Sequence, residues 1–236
     1  MHVLIIDQCC KQKAYPEDSE TLTVDDIDTA EREVLLNRDD IRSIPAADLY
    51  IGRQQEAIDR AVTTLRAAGH TVTRVFISAG FGVVGETEGL PPYNVTFSGM
   101  STDDIRERAD QLSITPELLE VIRDSPNPDI AFFALGADYF TALNTDAVLS
   151  ALPDETITVL YNSEERASGL SNTISLPARN TDASQYGVNA IELKGHYIER
   201  FASRLEVDDK NQPLSPERIR SICTENESSQ SDLDSF

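Results

Sequence analysis

Four short apolar runs, separated by stretches of helical periodicity, constrain the fold of this chain more than any other feature. Residues 3–7, 71–78, 129–135 and 156–161 are rich in aliphatic and β-branched side chains and too short to be helices, so each is expected to be a strand. Apolar runs without a polar alternate face belong to strands covered on both sides. Strands that alternate with helices predict an α/β architecture: a mostly parallel sheet with helices on both faces, in a single domain. The length, 236 residues, suits one large domain.

The stretches between the runs supply the helices. Periodicity predicts them over 28–36, 47–68, 102–112, 115–123 (with Pro116 at the first position), 138–152 and 185–205, the last interrupted by Gly187 and Gly195. Residues 173–176 read as one more short strand, 79–98 as a long loop, and 215–223 as a short helix. Residues 1–205 form the expected domain. Residues 206–236 read as a polar C-terminal extension whose last dozen residues lack the apolar content to fold.

Composition bounds function more weakly. Formal net charge is −21, and only four of the 20 basic residues are lysine: Lys11, Lys13, Lys194 and Lys210. Such acidity costs self-repulsion in dilute buffer. In molar salt the Debye length falls to about 3 Å and the repulsion is screened. The balance therefore reads as halophilic adaptation, and it does not exclude a nucleic-acid partner. No apolar stretch reaches the roughly 18 residues of a membrane span. Residues 1–7 turn polar too soon for a signal peptide. A cytoplasmic protein with no membrane partner is expected, its oligomeric state open. Cys9, Cys10 and Cys223 are too few for a disulfide framework, and no Cys-x-x-Cys is present.

In a parallel sheet, ligands bind outside the carboxyl ends of the strands. Three loops are therefore expected to converge: 8–13, 78–82 and 136–139. The first holds Cys9-Cys10-Lys11-Gln12-Lys13, with two of the four lysines. A thiolate beside these ammonium groups would have a lowered pKa; equally, the two cysteines fit as small half-buried side chains at a strand end. Asp7 is open between a functional and a capping role. Gly80-Phe81-Gly82-Val83-Val84-Gly85 matches G-x-G-x-x-G after a strand. No helix follows it, because Gly89, Pro91 and Pro92 intervene, so a dinucleotide site is not expected. A tight loop that brings backbone amides to a ligand remains. Tyr93 either stacks on a base or packs in a turn. Tyr50 and Gly52 combine an aromatic ring with a possible close approach. Lys194 reads as an ordinary helix-surface lysine. The histidines are scattered and the carboxylates too abundant to mark a metal site, so no metal and no cofactor is expected.

Four of these motifs, in order over about the first 140 residues, resemble the YaaA peroxide-stress family and its relatives: Cys9-Cys10-Lys11-Gln12-Lys13, Leu49-Tyr50-Ile51-Gly52, Ser78-Ala79-Gly80-Phe81-Gly82-Val83-Val84 and Pro92-Tyr93-Asn94-Val95-Thr96. Leu135-Gly136-Ala137-Asp138-Tyr139 resembles a glycine-aromatic turn in the same relatives. Phe81 stands where tyrosine is usual and Asn94 where aspartate is usual. The resemblance implies a stress-response role through limiting free iron, and DNA binding.

On these grounds the expected site has Cys10, Lys11 and Asp138 as candidate catalytic residues. Lys13, Tyr50, Gly52, Ser78, Gly80, Gly82, Tyr93 and Asn94 are the candidate ligand-binding residues. The expected function is binding of DNA or a phosphate-bearing, nucleotide-like ligand in stress response or nucleic-acid maintenance. The alternatives are a nucleotide- or nucleobase-processing enzyme of glycosidase or transferase type, and a non-catalytic interaction module.

Overall fold

The structure, a computed structural model, describes residues 1–15, 19–38, 40–205 and 213–225. Eight strands occur among them: β1 (His2–Gln8), β2 (Ile44–Pro45), β3 (Thr71–Ser78), β4 (Gly82–Gly85), β5 (Gly89–Leu90), β6 (Ile130–Phe133), β7 (Ile157–Tyr161) and β8 (Thr173–Leu176). Six form one sheet in the order β4-β3-β1-β6-β7-β8, while β2 and β5 make a small antiparallel ribbon. Every pairing in the large sheet is parallel except that of β4 with β3. The fold is therefore the expected single α/β domain.

Residue alternation on the strands explains why both faces are covered. On β1, Val3 and Ile5 face one core and Leu4 and Ile6 the other, all fully buried. On β6, Ile130 and Phe132 join the first core and Ala131 and Phe133 the second. The first core is closed by the helices Arg53–Ala67 and Ala190–Arg204, through Ile58, Leu65, Tyr197 and Phe201. The second is closed by Thr102–Gln111 and Ile114–Asp124, through Ile105, Leu118 and Ile122. Each such side chain, fully buried, contributes about 1.5–3 kcal/mol. The helix Pro216–Thr224, capped by Ser215, lays Ile219, Ile222 and Cys223 into the first core. Residues 206–212 and 226–236 of the polar extension, including its expected unstructured end, lie outside the described residues.

Several boundaries differ from the periodicity, each for a physical reason. Residues 28–36 do not form one helix. Thr23 makes a capping box with Asp26 and starts Val24–Thr29, and extended backbone at Ala30 separates it from Arg32–Leu36. The 47–68 stripe splits into Ala46–Leu49 and Arg53–Ala67. Between them Ile51 N–H donates to Gln12 O, and Ala14 N–H to Leu49 O. Pairing with the 12–14 segment outcompetes local helix formation there. The 79–98 segment contains β4 and β5. Gly82, at φ +70, turns the chain into β4, so the glycine motif is a hairpin. Ile114 rather than Thr115 starts its helix, so Pro116 sits third. The 138–152 stretch is two helices, Ala137–Thr141 and Thr145–Ala151, the second capped by Asn144. Gly187, at φ +68, delays the last long helix to Ala190, while Gly195 stays inside it. Among the described residues no helix is long and apolar enough to cross a membrane.

Candidate functional site

The chain runs from β1 out to β3 on one side and later returns to β6 on the other, so strand order reverses between β1 and β6. Loops leaving such a reversal in opposite directions leave a crevice at the carboxyl ends of the strands. The expected convergence follows: Gly136 N–H donates to the Gln8 side-chain oxygen at 2.6 Å, and Cys9 N–H to Ile77 O at 2.9 Å.

Beneath these loops lies a fully buried carboxylate. Asp7 Oδ1 accepts from Gln8 N–H at 2.8 Å, Gln54 Nε2 at 2.8 Å and Gln55 Nε2 at 3.1 Å. Asp7 Oδ2 takes Arg74 at 2.8 Å, and Arg74 also reaches Asp59. Gln54 and Gln55 use the same amide groups to reach Ala134 O and Gln8 O. A buried charge is tolerated when it is paired and hydrogen-bonded like this. Asp7 thus ties β1, β3 and the Arg53–Ala67 helix together.

Above it stands a cluster of hydroxyls, thiols and one ammonium. Tyr93 OH lies 2.6 Å from Tyr50 OH and 2.7 Å from Ser78 Oγ, and Ser78 Oγ accepts from the N–H groups of Gly80 and Phe81. Gly80 is required here: a Cβ would sit 2.8 Å from the Tyr93 ring. Burial pushes both tyrosines well above their usual range, so both are neutral phenols. Tyr139 OH donates to Cys9 O at 2.7 Å and lies 3.0 Å from Cys9 Sγ.

Lys13 lies in this cluster with its ammonium 4.4 Å from the Tyr93 ring centroid. It is 7% exposed, and its Nζ has no hydrogen-bond acceptor among the described residues. Burial pulls its pKa down, and the neighbouring Cys9 and Cys10 pull it up. A cation–π contact is worth about 0.5–2 kcal/mol, less than the several kcal/mol of desolvating an ammonium. The segment carrying it is closed over by Tyr15, whose hydroxyl donates to Tyr93 O.

The structure distributes the expected site residues unevenly. Lys13, Tyr50, Ser78, Gly80 and Tyr93 share one cluster. Gly52 borders it, since a Cβ there would stand 3.2 Å from Cys10 Sγ. Cys10 is half-buried and its thiol donates to Gln12 O at 2.7 Å. Burial pushes that thiol up to about 11, overriding the nearby Lys13, so the expected lowered pKa is not found. Lys11 is exposed, as are Asn94 and Asp138, the last in the first turn of Ala137–Thr141. Gly82 packs elsewhere, against Leu112 O and the Glu117 carboxylate.

Two participants are not evident from local sequence. Tyr139 reaches Cys9 from 130 residues away. Lys194, read as a surface lysine, places Nζ 2.8 Å from Leu135 O at the end of β6. The signal for it was the adjacent Gly195, a costly residue inside a helix unless close packing needs it. Among the described residues no three His, Cys, Asp or Glu side chains are grouped to hold a metal ion.

No protein-family model matches this chain, and no curated protein matches it.

Proposed function

We propose that this protein binds a small phosphate-bearing ligand at the carboxyl ends of β1, β3 and β6, with Lys13 as the cation that meets the phosphate. One observation carries the reading: a buried ammonium with no acceptor among the described residues, at the strand ends where an open parallel sheet holds its ligands. A phosphate oxygen would supply the missing acceptor and raise the lysine pKa again. Lys11, exposed two residues earlier, adds positive charge at the entrance. Entry requires the 9–15 segment to open, which breaks the Tyr15 contact to Tyr93 O and the Ala14 pairing with Leu49.

The motif resemblance to YaaA peroxide-stress proteins extends this reading to a cytoplasmic role in stress response or nucleic-acid maintenance, with a nucleotide or DNA as ligand. The excess of acid over base fits a halophilic setting. The high pKa of the Cys10 thiol favours binding over a cysteine-dependent nucleotide- or nucleobase-processing reaction.

Calorimetric titration of the wild type and Lys13→Met with inorganic phosphate, a nucleoside monophosphate and a nucleoside triphosphate tests the proposal. Saturable binding that weakens at least about tenfold in Lys13→Met, with unchanged circular dichroism, is expected, about what one charge-assisted hydrogen bond supplies. No binding to any of the three, or equal binding by the variant, rules it out. Fluorescence anisotropy with duplex, junction and single-stranded DNA at two salt concentrations reads the nucleic-acid arm, where affinity should fall steeply with salt.

A further inference from the structure

A cavity of about 350 Å³ lies beside the 14–15 segment, lined by Ala14, Tyr15, residues 42–45 and Asp48. Main-chain bonds hold its walls in place. Ala14 N–H donates to Leu49 O, Ala46 N–H to Glu88 O and Ala47 N–H to Glu86 O. Ile44 and Pro45 pair with Leu90 and Gly89 in the small ribbon. Tyr15 is anchored at its hydroxyl, which donates to Tyr93 O, yet the residue stays 38% exposed. An aromatic ring fixed at one end and open along its side is a platform on which another ring can pack. Two charges of opposite sign line the same space. Arg42 and Asp48 are exposed, and among the described residues neither has an ion pair or a hydrogen bond. That is unusual for an arginine in a chain with 41 acidic against 20 basic side chains. Arg32, Arg38, Arg60 and Arg66 all reach carboxylates. Asp48 in turn is close enough to Asp59 to repel it, which a cation placed beside Asp48 would relieve.

We infer that this cavity is a binding site for a free amino acid with an aromatic side chain. Arg42 takes its carboxylate, Asp48 its ammonium, and the ring packs on Tyr15, Ile44 and Pro45. The pairing of charges decides the class of ligand. An anion such as phosphate would be drawn to Arg42 and repelled by Asp48, and a simple cation would meet the reverse. A zwitterion satisfies both. The planar guanidinium matches a carboxylate with two parallel N–H bonds, and an ammonium offers three donors to a carboxylate. The apolar walls then account for a ring rather than a polar side chain. The volume stands near the lower end of small-molecule sites, roughly 300–1,000 Å³, and suits one such molecule. This site goes beyond the phosphate reading and does not rest on it, because Lys13 is no part of its lining.

Calorimetric titration of the full chain with phenylalanine and with tryptophan tests the inference. Saturable binding is expected for both. Phenylalanine amide, which lacks the carboxylate, and N-acetylphenylalanine, which lacks the ammonium, should each bind at least about fivefold more weakly than phenylalanine, the scale of one lost charge-assisted contact at a half-open site. Arg42→Gln and Asp48→Asn should weaken phenylalanine binding by a similar factor. Both change exposed side chains, so circular dichroism should be unaltered. Lys13→Met should bind phenylalanine like the wild type. No saturable binding of either amino acid, binding untouched by Arg42→Gln or by Asp48→Asn, or loss of binding in Lys13→Met overturns the inference. Amino-acid binding together with no binding of phosphate or nucleotides would leave this site standing and remove the proposed function, and the reverse pair of results would do the opposite.

Discussion

Asp7 and Lys13 are charges of opposite sign, six residues apart at the end of one strand and both buried, yet their surroundings differ completely. Asp7 is met on both carboxylate oxygens by an arginine, two glutamines and a backbone amide. Lys13 has an aromatic face and two thiols nearby, and no acceptor among the described residues. A buried charge with every valence matched holds a structure together. A buried charge with none matched costs stability, and it makes sense where something else completes it. Asp7 belongs to the platform beneath these loops, and Lys13 is the group to which the proposed function assigns the ligand.

Removing each charge probes that contrast. Asp7→Asn leaves Arg74 buried against a neutral amide, with Asp59 as its remaining carboxylate among the described residues. Stripping one partner from a buried pair costs about 3–5 kcal/mol, so chemical denaturation should show a loss of at least about 3 kcal/mol. A loss below about 1 kcal/mol, the size of a surface pair, would place Asp7 outside the platform. Lys13→Met should behave in the opposite way. It replaces an unmatched ammonium by an apolar side chain of similar length, so stability should stay within about 1 kcal/mol or rise. A loss as large as that of Asp7→Asn would show that Lys13 is structural too.

The smallest effect concerns pH. Lys194 has a pKa of about 8 in the folded protein against the usual 10.5. Below about pH 8 both states carry the proton, and the folded state bears the full cost of the buried charge. Between about 8 and 10.5 the folded state has released the proton while the unfolded state keeps it, so stability rises with pH. The Cys10 thiol, raised from 9.0 to about 11, acts in the reverse sense over its own range. The difference between wild type and Lys194→Met therefore isolates the lysine. The wild type should gain on the variant as pH rises from about 7 to 10, and a flat difference would show that the amine is not desolvated.

The fold was legible because its signal is local. Apolar runs at 3–7, 71–78, 129–135 and 156–161 report strands buried on both faces whatever lies around them, and the convergence of strand-end loops follows from a parallel sheet. Lys13, Ser78 and Gly80 were legible for the same reason, since each lies in such a loop, whereas Tyr50 and Tyr93 were tied to them only by the motif resemblance. The helix breaks at 30 and 50–52 were not, because they depend on a cap at Thr23 and on backbone pairing with residues 12–14. Nor was the hairpin formed by the glycine motif.

By itself, the sequence determined the architecture, the strand-end loops that meet beside β1 and the scarcity of lysine. Tertiary structure alone decided the surroundings of those lysines. Lys11 and Lys13 are indistinguishable as residue types, yet one is exposed and the other buried over an aromatic ring, with no hydrogen-bond acceptor among the described residues. Lys194 looked like a surface residue until a glycine contact brought its helix down onto the strand ends. The reason is that periodicity is a property of neighbours in the chain. Desolvation, and with it the pKa of an amine or a thiol, is set by atoms that arrive from far away in sequence.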